Sequence, residues 1–181
     1  QLYAETRRAL RRGLENPIDK QEWITETQNE VLEKLEDYGF TEAEVRELWG
    51  NTGEDYFIRE QVDDIVWHCR AIAQRTSPQA SLVLVKKGGL LDHEGATQIF
   101  VHTPSKKGIF AVLAGALEQL DLSIQDARIY NSGTGYTLDT FYVLGANGEP
   151  IGDNPVRIQE ITDYLVQQLS QPEGSPEEVH R

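Results

Sequence analysis

Hydrophobic spacing changes period once along this chain, near residues 76–80, and that change limits what it can fold into. Before it, apolar residues recur at helical spacing. "LYAETRRALRRG" is rich in helix formers and ends at Gly13, a residue that commonly stops helices. Its arginines Arg7, Arg8, Arg11 and Arg12 read as a solvated helix face. After "ENPID", the stretch 20–38 puts Ile24, Val31, Leu35 and Tyr38 on one stripe with Leu32 beside it, and Gly39 ends it. Thr41 and Glu44 in "TEAE" set a capping box for a short third helix that stops at Gly50. "NTGED" reads as a loop. In "VDDIVWHCRAIAQ", Val62, Ile65, Val66, Cys69 and Ala73 share one helical face.

After Pro78 the pattern becomes that of short strands. "SLVLV" at 81–85 is apolar on both sides, and "TQIFVHT" at 97–103 is a second strand. "PSKKG" opens a helix over about 107–120 whose core face is Ile109, Leu113, Ala116, Leu117 and Leu120, with Gly115 read as permitting close packing. "SIQDARIYNSGTGYTLDTFYVLG" is a hairpin, and Asn154 with Pro155 starts a last helix carrying Ile158, Ile161, Leu165 and Leu169. From residue 97 the order is β-α-β-β-α, a ferredoxin-like pattern without its final strand. "SLVLV" can fold back on 97–103 and fill that slot. The fold class is therefore α+β: an N-terminal helical segment, then a ferredoxin-like domain with a four-stranded antiparallel sheet, two helices and a permuted edge strand. Leu82–Val85 are expected to pair antiparallel with Gln98–Val101, and Leu84→Asp to unfold the sheet. The expected division is 1–77 helical, 78–171 sheet domain and 172–181 a linker rich in Pro, Gly and Glu.

Composition narrows the function. With 30 acidic and 17 basic residues the net charge is −13, which repels nucleic acid and anionic membranes. One cysteine excludes an internal disulfide framework and fits a reducing, cytoplasmic setting. No apolar run is long enough to span a bilayer. The chain starts at Gln1 and lacks methionine, so it reads as a piece of a longer protein. The four histidines, His68, His93, His102 and His180, are scattered, and none is followed by aspartate. No carboxylate cluster for metal-assisted chemistry is visible, so neither catalysis nor a cofactor is expected of this segment. "DHE" at 92–94 reads as a solvated loop and Cys69 as a core thiol; His68 reads as a packed or surface side chain. Asp126 and Arg128, two apart on one strand, fit either a ligand's amino and carboxylate groups or a plain ion pair.

Three stretches carry a family resemblance: "LYAETRRALRRGLENP", "DYFIREQVDDIVWHCRAI" and "GATQIFVHTPSKKGIFAVLAGALEQLDLSIQDARIYNSGTGYTLDTFYVL". Together, and in order, they resemble the C-terminal part of the bacterial PII uridylyltransferase/uridylyl-removing enzymes. The resemblance implies that 1–77 follow an HD-type hydrolase domain and that 78–171 form the first of two ACT domains. It further implies a parent enzyme using magnesium or manganese, which adds UMP to the PII signalling protein when glutamine is scarce and removes it when glutamine is abundant. Glutamine would be the effector. The segment's partners would be its own catalytic domains, a second ACT domain and, through the full-length enzyme, PII. The alternative is a structural ACT module for dimerisation or interdomain docking that binds no ligand.

In ACT domains resembling this one, amino acids bind at the turn between the first strand and first helix. Here that turn is Thr103-Pro104-Ser105-Lys106-Lys107-Gly108-Ile109-Phe110. Pro104, Ser105, Lys106, Lys107, Gly108 and Ile109 are thus the candidate ligand residues, with Asp126 as a contact from a partner domain. The chain keeps the family's Thr103, Pro104 and Phe110. It has Ser105 where an acidic residue is usual and Lys107 where proline is usual, which removes an acceptor for a ligand's ammonium group and loosens the turn. Glutamine binding is therefore expected to be weak without the second ACT domain.

Overall fold

In the computed structural model, the described residues are 17–50, 52–75, 80–87, 95–131 and 135–171. They fall into two compact units, one running to Gln74 and the other beginning at Arg75. The helix read at 2–13 and the linker at 172–181 lie outside the described residues.

The first unit is helical: α1 (Pro17–Glu36), α2 (Glu42–Trp49), α3 (Glu54–Arg59) and α4 (Val62–Ala73). Along α1, Ile24, Thr27, Val31 and Leu35 are buried at steps of three and four, with Trp23 beside them. Tyr38 does not join this stripe. The helix has already ended at Glu36, so the ring is 55% exposed and lies under the guanidinium of Arg70 at 3.9 Å. The capping box on α2 forms as read: the Thr41 hydroxyl accepts from Glu44 N–H at 3.2 Å, and the Glu44 carboxylate accepts from Thr41 N–H at 2.9 Å. These bonds also hold the Glu44 carboxyl below its usual range.

The loop reading of "NTGED" needs correction at its end, because Glu54 and Asp55 open α3. Six residues are too few for a periodic signal. What holds α3 is aromatic packing: Tyr56 and Phe57 are buried, and Phe57 meets Trp49 edge-on at 5.0 Å. On α4, Val62, Ile65, Val66 and Cys69 are buried as expected, while Ala73 is exposed at the helix end.

The second unit contains β1 (Leu82–Lys87), β2 (Thr97–Pro104), α5 (Ile109–Gln119), β3 (Leu122–Asn131), β4 (Tyr136–Gly145) and α6 (Pro155–Leu169). The sheet order is β1-β2-β4-β3 and every pairing is antiparallel. The permuted edge strand is therefore present. Leu82–Val85 lie opposite His102–Ile99, one position from the span read in the sequence, because β2 runs on to Pro104. A bulge at Gln125 shifts the β3–β4 register between Ile124 and Asp126.

One sheet face packs Val83, Ile99, Val101, Phe141 and Val143 against Leu113 and Leu117 of α5 and Ile161, Leu165 and Leu169 of α6. The opposite face is also closed: Phe100, Thr140 and Tyr142 are at most 1% exposed. α6 starts as its sequence dictates, with the Asn154 side chain accepting from Val156 N–H at 2.9 Å and Pro155 at the first position. Gly115 does not serve close packing. A Cβ placed there would meet nothing within 4 Å.

Candidate functional site

β2 delivers the chain into the candidate turn, which α5 then leaves. Gly108 is the N-terminal flanking residue of α5, in the left-handed region at φ 78°, which a residue without a Cβ adopts at no steric cost. No side chain caps α5, whereas Thr41 caps α2 and Asn154 caps α6. The first-turn amides of Phe110 and Ala111 therefore lack an intrahelical acceptor, and the helix dipole makes this end electropositive. Ser105 is exposed and its N–H donates to the Gly135 carbonyl at 2.8 Å, tying the turn to the start of β4. Ile109 N–H donates to the Lys106 carbonyl at 3.3 Å. Pro104 and Ile109 are half-buried and Lys107 is exposed.

Lys106 is engaged elsewhere. Its Nζ donates to the carbonyls of Leu169 at 3.1 Å and Gln171 at 3.0 Å, capping the far end of α6. Asp126 is not brought to the turn within this chain. It pairs with Tyr142 in a row that continues to Gln98 on β2, roughly 20 Å along the strand from Ser105. Its carboxylate accepts from Ala127 N–H at 2.9 Å and stands 3.7 Å from Arg128 Nε, the ion-pair reading of those two residues. The Arg128 guanidinium in turn lies 5.2 Å from the Tyr142 ring centroid.

One polar residue inside the strand-like hairpin, Asp139, is visible in the sequence but receives no role there. Asp139 lies on the α5/α6 side of β4, two residues from Phe141, which stacks with Phe110 of the first turn of α5. Asp139 is fully buried. Oδ1 accepts from the Thr137 hydroxyl, and Oδ2 has no hydrogen-bond partner. Burial pushes its carboxyl up to about 6, against a smaller lowering by Thr137. Strict alternation with Phe141 and Val143 was the available signal: it puts an acid on the core face.

On the opposite sheet face, the Arg75 guanidinium donates to His102 Nδ1 at 2.8 Å and lies 4.7 Å from the Tyr136 ring centroid; that ring stacks on His102. Burial and then the Arg75 charge push His102 down to about 4, so its imidazole is neutral near pH 7. In the helical unit His68 is buried, its Nδ1 sharing a hydrogen bond with the Tyr56 hydroxyl at 2.7 Å. Cys69 is a buried free thiol pushed up to about 12 by desolvation, hence unreactive as a nucleophile. His93, His180 and the "DHE" segment lie outside the described residues. Among the described residues no group of three or more His, Cys, Asp or Glu is placed to hold a metal ion, and no helix is long and apolar enough to cross a membrane.

A helical unit followed by a ferredoxin-like ACT fold, with an uncapped helix N-terminus at its first strand-to-helix turn, is the class this chain falls into. Residues 19–71 match the family described as "Uridylyltransferase GlnD fifth domain". The whole chain is 45% identical to the bifunctional uridylyltransferase/uridylyl-removing enzymes of Pseudomonas fluorescens and Ectopseudomonas mendocina, and 44% identical to that of Pseudomonas aeruginosa. All 181 residues align, but they span only 20% of each of those proteins. The resemblance read from the three sequence stretches is thus borne out. No solved structure matches the chain.

Proposed function

We propose that this chain is the regulatory segment of a bifunctional PII uridylyltransferase/uridylyl-removing enzyme, and that it senses glutamine. The observation that carries the reading is the α5 N-terminus: a glycine-led turn whose first amides meet no capping side chain. Such an end attracts a carboxylate. In the parent protein, catalytic domains using magnesium or manganese would transfer UMP to PII and remove it in the cytoplasm. The segment would report glutamine to them and to a second ACT domain. Its own chemistry is binding alone.

Calorimetry of glutamine into the 181-residue chain, with glutamate as control, tests this. Weak, glutamine-selective binding is the expected result. Absence of binding even when a second ACT domain is present favours the alternative, a structural ACT module for dimerisation or docking. A specific observation supports that alternative too: β3 is an edge strand that exposes Ile124 and Ile129.

A further inference from the structure

We infer that Asp139 is the acceptor for the ammonium group of an α-amino-acid ligand whose carboxylate sits on the α5 N-terminus. The inference rests on the amino-acid-sensing reading above and adds to it the residue that selects an amino acid over a simple carboxylic acid.

Two requirements define an α-amino-acid site: donors for the carboxylate and an anionic acceptor for the ammonium, a few ångströms apart. The turn supplies the first. Its own sequence does not supply the second, since Ser105 is uncharged and the neighbouring side chains are lysines. Asp139 does. It comes from β4, on the face that α5 covers, two residues from Phe141, whose ring stacks with Phe110 at a centroid distance of 5.9 Å. The second residue of α5 thus stands over the strand that carries Asp139. The row at the end of that face is hydroxylic: Thr103 opposite Thr137, with Ser81 Oγ 2.7 Å from Thr103 Oγ1. Polar side chains there are unusual for a face otherwise filled with Val, Ile and Phe.

A buried carboxylate oxygen without a partner is costly. Asp139 Oδ2 is such an oxygen, while Oδ1 is satisfied by Thr137. The neighbouring positions on this face are Val101 and Thr103 on β2, Ile129 on β3, and Thr137 and Phe141 on β4, none charged. The charged residues of the turn above are Lys106, already bound to the end of α6, and exposed Lys107. Among the described residues no donor or cation partners Oδ2. The carboxyl's raised value of about 6 has the same origin, and an ammonium partner reverses it. Asp139 is fully covered, so ligand entry to Oδ2 requires the side chains that cover it to move.

The test uses the 181-residue chain, wild type and Asp139→Asn, which keeps an acceptor for Thr137. Each is titrated with glutamine and with its des-amino analogue, 5-amino-5-oxopentanoate, following amides of residues 104–111 by NMR. Wild type should prefer glutamine at least tenfold, and Asp139→Asn should bring the two ligands to parity. In wild type, saturating glutamine should lower the titration midpoint of the Asp139 carboxyl, read from its 13C shift. Should glutamine move the turn amides while Asp139→Asn keeps the preference, or the midpoint stay put, this assignment is overturned and the sensing reading stands. Should no amino acid move those amides, both fall.

Discussion

Lys106 reaches across the helix pair to the carbonyl of Leu169, 63 positions later, and holds it at 3.1 Å. Arg157 does the converse at the other end, donating to the Leu120 carbonyl at 2.5 Å just past α5. Each helix of the antiparallel pair thus has its C-terminal carbonyls capped by a cation from beside the other's N-terminus. A cation there also suits the helix dipole. The consequence for the candidate turn is direct: its half-buried lysine braces the fold, and its exposed Lys107 is the one open to solvent.

Replacing Lys106 with Met should therefore cost stability, about 1–2 kcal/mol for two charge-assisted bonds to carbonyls. Lys107→Met should be close to neutral. Urea denaturation of the two variants side by side checks this; equal midpoints would remove the bracing role.

Gly115 sits inside α5 with open space where its side chain would be. Glycine there carries only the backbone-entropy cost. Gly115→Ala should stabilise the chain by about 0.5–1 kcal/mol, seen as a raised urea midpoint with unchanged slope. A loss of stability would mean that the position is packed after all.

Elements with strong local signals were legible in the sequence: the Thr41–Glu44 box, the Asn154-Pro155 start, and the β1–β2 pairing implied by a missing last strand. What escaped depends on contacts distant in sequence. α3 is held by Trp49 against Phe57 rather than by its own period. Lys106 could be placed in the turn, but its partner at the end of α6 could not. Asp139 was visible as an acid on an apolar strand, yet its place under α5 emerges only from the Phe110–Phe141 stack.

The two faces of β1 are not equivalent. Val83 lies in the core with Ile99, Val101 and Leu165, while Leu84 is half-buried on the opposite face. The sequence reading chose Leu84→Asp as the unfolding change. Val83→Asp should be the more damaging, since it places an unpaired charge among apolar side chains at a cost of several kcal/mol. Circular dichroism melts of both variants decide the order.

Asp139 and His102 should give the chain opposing pH slopes. Asp139 has its carboxyl raised from 3.8 to about 6. Between those values the folded state binds more protons than the unfolded, so stability falls as pH rises, by up to about 3 kcal/mol. His102 is lowered from 6.5 to about 4. In that window the folded state binds fewer protons, so stability climbs with pH and is lost on acidification, by a similar amount. The windows overlap, so the two contributions oppose each other between about pH 4 and 6. Each single variant unmasks the other group. Asp139→Asn should show stability rising with pH across that range, and His102→Gln should show it falling. Urea midpoints at four or five pH values measure both slopes. Parallel curves for wild type and Asp139→Asn would mean that this carboxyl titrates alike in the folded and unfolded chain.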